Sequence, residues 1–178
     1  MARIKGTQLA DLVRAARGMQ QQGTVALPEH LAHYLKDDVL VSNWYPEAEF
    51  RDLMLIGGRA LQPTVKGSIW RFLGKQGAVR DLGGVYASWL RKGDPERTPQ
   101  LLIQGWTTIR DTGRLSTQLI APNHVEAALK AYPFMCPELA ETNAGYIAEM
   151  VTACGVHDVD VQVREIFEHG CRWKITWR

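Results

Sequence analysis

Apolar residues recur along this chain with two periods, a helical one through its first hundred residues and a period of two near its end. From Gln8 to Gln22, Leu9, Leu12, Val13, Ala16 and Met19 follow helical spacing while Asp11, Arg14, Arg17 and Gln20 fill the other face, which predicts an amphipathic first helix. Gly23-Thr24 breaks it, and Pro28 opens a short second helix, PEHLAHYLK, in a position where a missing N–H costs nothing. Val39 to Pro46 reads as extended, because Pro46 excludes Tyr45 from the helical region. Pro46 then starts a third helix, PEAEFRDLMLIGGRAL, with acidic residues in its first turn and an apolar set of Phe50, Leu53, Met54, Ile56 and Leu61. Gly67 to Lys92 is helical but broken by four glycines, predicting two shorter helices or one kinked one, and Gly93-Asp94-Pro95 is a turn. Thr98 to Trp106 reads as a short helix or link.

The alternating pattern begins after that. Trp106 to Arg110 and Arg114 to Ile120 are predicted as a hairpin around Asp111-Thr112-Gly113, and HVEAALKAYP as a return to helix with Val125, Ala128 and Leu129 on one face. Pro137 opens the clearest helix, PELAETNAGYIAEMVTACG, with Leu139, Tyr146, Ile147, Met150, Val151 and Cys154 as its buried positions and Gly155 as its C-terminal cap. The stretch Asp158 to Arg178 is a second hairpin turning at His169-Gly170. Its last arm alternates Cys171, Trp173, Ile175 and Trp177 with Arg172, Lys174, Thr176 and Arg178. Its first arm places Glu165 on the apolar row of Val159, Val161, Val163 and Phe167. The predicted fold class is α+β, with N-terminal helices packed on an antiparallel sheet of about four strands in the C-terminal third.

Composition narrows the function. At 178 residues, 46% hydrophobic and 22% charged, the chain is long enough and apolar enough for a real core. Its 21 basic and 19 acidic residues are mixed along the chain for a net charge of +2, so nucleic acid is not an expected partner. Three widely spaced cysteines, Cys136, Cys154 and Cys171, point to reduced thiols and a cytoplasmic location, and neither a signal peptide nor a membrane-spanning run is read in the chain.

Candidate chemistry is sparse. His30 and His33 are spaced i,i+3 on a short helix without the carboxylate pattern of a metal site, and Gly57-Gly58 has the form of close packing rather than of a phosphate loop. Pairs such as Glu47/Glu49 and Asp37/Asp38 read as cap and surface charges. Cys154, Glu165 and Cys171 are the residues that would hold a zinc ion, but zinc wants four such ligands and cysteine is often buried without a task, so structural thiols are the expectation. No nucleophile motif is present, so no enzyme is expected. Trp44, Tyr86, Trp89, Trp106, Tyr146, Trp173 and Trp177 are the residues that would line an apolar ligand pocket, against the alternative that they fill the core.

Several segments in order carry a family resemblance. LVSNWYPEAEFRDLM, RDLGGVYASWLRKGDPE, IRDTGRLSTQLI and the terminal stretch from Cys136 to Trp177 resemble a bacterial haem-NO-binding-like group and the myxobacterial paralogous family of that type. The likeness runs from about Leu27 to Trp177, setting residues 1–26 apart as an N-terminal helical segment from a domain at 27–178. It implies the ligand-binding fold of NO signalling and Golgi transport, shared by haem sensors, four-vinyl-reductase-type domains and vesicle-tethering subunits. Haem sensors of this type use a proximal His and a Tyr-x-Ser-x-Arg motif. Tyr86 and Ser88 are kept here, but Leu90 stands in the Arg place and Arg91 follows one residue late, which turns it by about 100° on a helix, so no haem is expected. The four-vinyl-reductase-type cluster of cysteines and acids survives only as Cys171, Glu165 and Cys154, with Ile166-Phe167 where a further cysteine belongs. The resemblance implies a non-enzymatic cytoplasmic sensory or regulatory domain holding a small apolar ligand between helices and sheet. The alternative is a ligand-free dimeric scaffold in a bacterial signalling complex, with a signalling protein as partner.

Overall fold

The computed structural model describes residues 2–90, 93–94 and 97–178. Its elements run β1 (Arg3–Lys5), α1 (Gly6–Gln21), a 3-10 turn at Glu29–Leu35, β2 (Trp44–Pro46), α2 (Glu47–Leu61), α3 (Ile69–Gly83), α4 (Thr98–Ile109), β3 (Arg114–Ala121), β4 (His124–Lys130), α5 (Pro137–Ala153), β5 (Asp160–Phe167) and β6 (Gly170–Thr176). The α+β class is as expected, and the C-terminal part carries a four-stranded antiparallel sheet in the order β3-β4-β6-β5. The chain divides into two compact units, one running up to Ile69 and taking in Thr108–Thr112, the other holding Trp70–Thr107 and Gly113–Arg178. The first unit straddles the 26/27 boundary expected from the sequence, because α1 packs on α2.

In the first unit β1 pairs antiparallel with β2, and Ile4 also bridges to Arg110. Gly57 and Gly58 are buried, and a methyl group on Gly57 would touch Met19 Cε at 3.4 Å, which is the close packing the glycine pair predicted. Glu47 overturns its expected role as a cap charge. It is fully buried, and Arg110 Nε donates to its Oε1 at 3.2 Å while the guanidinium lies 5.6 Å from the centre of the Phe50 ring. The first residue of a helix projects back toward the preceding strand, so a carboxylate placed there is covered when that strand pairs.

In the second unit α3 runs through Gly74 and Gly77 without a break because those glycines are where α5 approaches. A methyl on Gly74 would run into the Thr142 carbonyl, and one on Gly145 into the Arg71 carbonyl. A 3-10 turn at Ala87–Trp89 follows α3, which agrees with two helical pieces, and the remainder of the expected Gly93-Asp94-Pro95 turn lies outside the described residues at Pro95. α5 starts at Pro137 with Glu138 in its first turn and ends before Gly155, whose φ of +96° is the left-handed cap expected of it.

Two sequence expectations fail here. The strand expected at Trp106 to Arg110 is mostly the end of α4, in which Leu101, Leu102, Trp106 and Ile109 fall on one buried face, so Asp111-Thr112-Gly113 joins a helix to a strand rather than two strands. The helix expected at HVEAALK is β4. Its Ala, Glu, Leu and Lys are good helix formers, but Val125, Ala127 and Leu129 are buried in alternation, and two flanking strands supply a ladder that outweighs local propensity. The hairpin expected from Arg114 therefore exists with β4, not with Trp106–Arg110, as its second arm.

Candidate functional site

The four-stranded sheet has an apolar and a polar face. Cross-strand rows of Leu115–Leu129–Cys171–Ile166, Thr117–Ala127–Trp173–Val163 and Leu119–Val125–Ile175–Val161 alternate with rows of Ser116–Ala128–Arg172–Glu165 and Gln118–Glu126–Lys174–Gln162. A bulge between Val163 and Glu165 accounts for the last polar row, because one extra residue in β5 reverses the side each later side chain takes. Glu165 is consequently not on the apolar row where period two put it. It is half-exposed, and Arg172 Nη1 donates to its Oε2 at 2.8 Å. The polar face holds a groove of about 690 Å³ spanning all four strands, with Ser116, Gln118, Glu126, Arg164, Glu165 and Arg172 among its lining residues. Positive and negative groups are mixed there, so the groove offers hydrogen bonds and paired charges to a polar or peptide-like surface. The alternation of β6 made Arg172 legible as a wet-face residue, but reading β4 as helix hid Glu126 and the groove with it.

The aromatic residues singled out in the sequence are dispersed. Trp44 belongs to the first unit, half-buried in β2 with Lys5 Nζ 4.4 Å from its ring centre. In the second unit Tyr86 stacks on Trp89 at 4.2 Å, and Trp89 borders Gly105 of α4. Trp106 meets Tyr132 edge-on at 5.2 Å. Tyr146 is half-buried rather than buried, and its hydroxyl donates to Asp81 Oδ2 at 3.0 Å; Arg80 neutralises the same buried carboxylate through Oδ1 at 2.7 Å. Trp173 is 2% exposed and donates its indole N–H to the Ala140 carbonyl at 3.1 Å, pinning α5 on the sheet. Trp177 is buried at the end of β6.

The three cysteines form no disulfide with one another, Cys154 and Cys171 being buried and Cys136 half-buried. Burial pushes the Cys171 thiol up to about 12, with the Arg172 backbone bond opposing and Glu141 and Glu165 adding to the rise. Burial likewise raises Cys154. Among the described residues no three His, Cys, Asp or Glu side chains converge as a metal site would require.

Haem needs an imidazole facing an enclosed apolar space, and four of the five histidines are exposed. His30 and His33 face Asp52 at 3.1 Å and Glu49 at 3.8 Å, His157 and His169 are exposed, and His124 lies in β4 opposite Thr176 with its Nε2 buried. Tyr86 is held in its stack with Trp89, Ser88 is exposed, and Arg91 lies outside the described residues.

The fold is similar to that of the H-NOX domains. An oxygen-binding H-NOX domain related to soluble guanylate cyclases, in its oxygen complex, is 15% identical, with a TM-score of 0.61 over 98% of this chain and 95% of that one. A structure from work on heme distortion in the H-NOX family gives 16% identity and a TM-score of 0.64 over 98% and 95%. A mutant of the T. Tengcongensis H-NOX gives 14% and 0.58 over 98% of both. No curated protein matches the sequence. Residues 12–178 match the family described as "Protein of unknown function (DUF2378)", and the chain belongs to that family.

Proposed function

We infer that this chain is a non-enzymatic regulatory domain that works through protein contacts, its own copy included, as a dimeric scaffold of a bacterial signalling complex. The observation carrying this reading is the filling of the space under the sheet. Trp173 sits there bonded to the Ala140 carbonyl, and α3 and α5 close to backbone contact at Gly74 and Gly145, which supports a core packed by the protein's own side chains over one shaped around a small apolar ligand. Cysteines held as thiols support a cytoplasmic location, and the exposure of four of the five histidines supports a domain without haem.

A sensory reading with a small apolar ligand is favoured by the half-buried Tyr86–Trp89 stack beside Gly105, two members of the aromatic set in mutual contact and not enclosed. Light scattering and native mass spectrometry, with thermal shifts in haemin, zinc and lipid-like compounds, separate the two. The scaffold predicts a dimer, no Soret band from bound haemin and no ligand-induced shift. A monomer stabilised by one of these compounds would overturn it in favour of the sensor.

A further inference from the structure

The two edges of the four-stranded sheet are treated differently. On β5, Asp160, Arg164 and Glu165 place charge along the edge, a bulge interrupts it, and the Arg71 guanidinium takes the Val161 carbonyl at 2.9 Å while also pairing with Glu141. These are the devices that keep an edge strand from pairing with another chain. β3 lacks them between Leu115 and Leu119, its own irregularity falling only after Leu119. That stretch carries no charge, proline or glycine, and its neighbour in the sheet is β4 alone. Its Ser116, Gln118, Leu119 and Ile120 are exposed, the last two at 47% and 46%.

We propose that β3 is the self-association edge, pairing antiparallel with β3 of a second copy about a two-fold axis through Thr117. The inference rests on the scaffold reading and names its contact. The polarity of Leu115-Ser116-Thr117-Gln118-Leu119 is palindromic, so a two-fold axis, under which residue i meets j and j meets i, sets like against like along it. Centred on Thr117, the pairing sets Leu115 opposite Leu119 of the second copy on the apolar face and Ser116 opposite Gln118 on the polar face, two favourable cross-strand pairs each made twice by symmetry. The segment lies before the irregularity between Leu119 and Ala121, so its ladder is regular. Arg114, the charge nearest the segment, falls at opposite ends of the two strands. Because β5 is closed, β3 has only its own copy as an edge to join, which gives a closed dimer with a continuous eight-stranded sheet rather than a filament.

Light scattering on the full chain, with hydrogen exchange of the β3 amides at low and high concentration, tests this. The expected result is a dimer whose β3 amides gain protection with concentration. The variants L119K and L119K/I120K should weaken dimerisation, the double variant by about a hundredfold or more, since the first change sets a charge against Leu115 of the second copy and the second adds like charge opposite its Arg114. Both positions are exposed, and far-UV circular dichroism verifies that each variant is folded. If a variant fails to fold, exchange on the unmodified chain decides alone: amides of β3 that stay unprotected in the dimer overturn the proposal. A dimer that survives the double variant also overturns it while leaving the scaffold reading standing. A chain monomeric at every concentration overturns both.

Discussion

Cys171 and Glu47 are the residues whose surroundings differ most from what their types suggest. The Cys171 thiol, raised to about 12 by burial, is a proton-bound group in the folded chain up to far higher pH than in the unfolded one. Its contribution to stability is therefore complete below the ordinary thiol value of 9.0 and is lost as pH rises from there toward 12. Labelling with a disulfide reagent near pH 8 should modify Cys136 first, with Cys154 and Cys171 reacting only on unfolding, and denaturation midpoints should fall above pH 9. At Glu47 the charge is enclosed with Arg110. Arg110→Ala strands a buried carboxylate and should cost about 3–5 kcal/mol in urea unfolding, whereas Glu47→Leu with Arg110→Leu should cost less than that single change. Nothing in the local sequence distinguished Glu47 from Glu49, because both suit a helix N-terminus; the difference is that Glu47 is covered by the pairing of β1 with β2 and by Arg110, more than sixty residues on.

Helices and strands were legible where their own residues carried a long enough pattern. α1, α2 and α5 match their periodic faces, and the β5–β6 hairpin matches its alternation up to the bulge. β4 did not, since seven residues with strong helix formers satisfy both periods and only neighbours on each side choose between them. The glycines of α3 read as interruptions when they are contact points. Gly74→Ala and Gly145→Ala should each destabilise by about 1–3 kcal/mol because backbone, not a movable side chain, is what the new methyl meets. Gly18→Ala in α1, where nothing lies within 4 Å, should be neutral or stabilising by about 0.4–1 kcal/mol. Chemical denaturation of the three variants distinguishes a crossing that needs glycine from a helix that tolerates it.

For the whole molecule, a self-associating chain has a stability that depends on its concentration. The thermal midpoint should rise with protein concentration, by about 2–4 °C for each kcal/mol of association linkage, and calorimetry across a hundredfold range reads it. Of the candidate site, the wet face of β6 was visible in Arg172 and Lys174, while the groove was not, because it needs Glu126 of β4 and the displaced Glu165 of β5 in the same surface. The sequence by itself determined the α+β class, the order of most elements and the terminal hairpin, since those follow from local periodicity and from turn residues that act on their immediate neighbours. Tertiary structure alone decided that β4 is a strand, that Glu47 is buried and that Glu165 faces Arg172 on the polar side. Each of these is fixed by a partner distant in the chain or by one residue of register, and a local hydrophobic pattern holds neither.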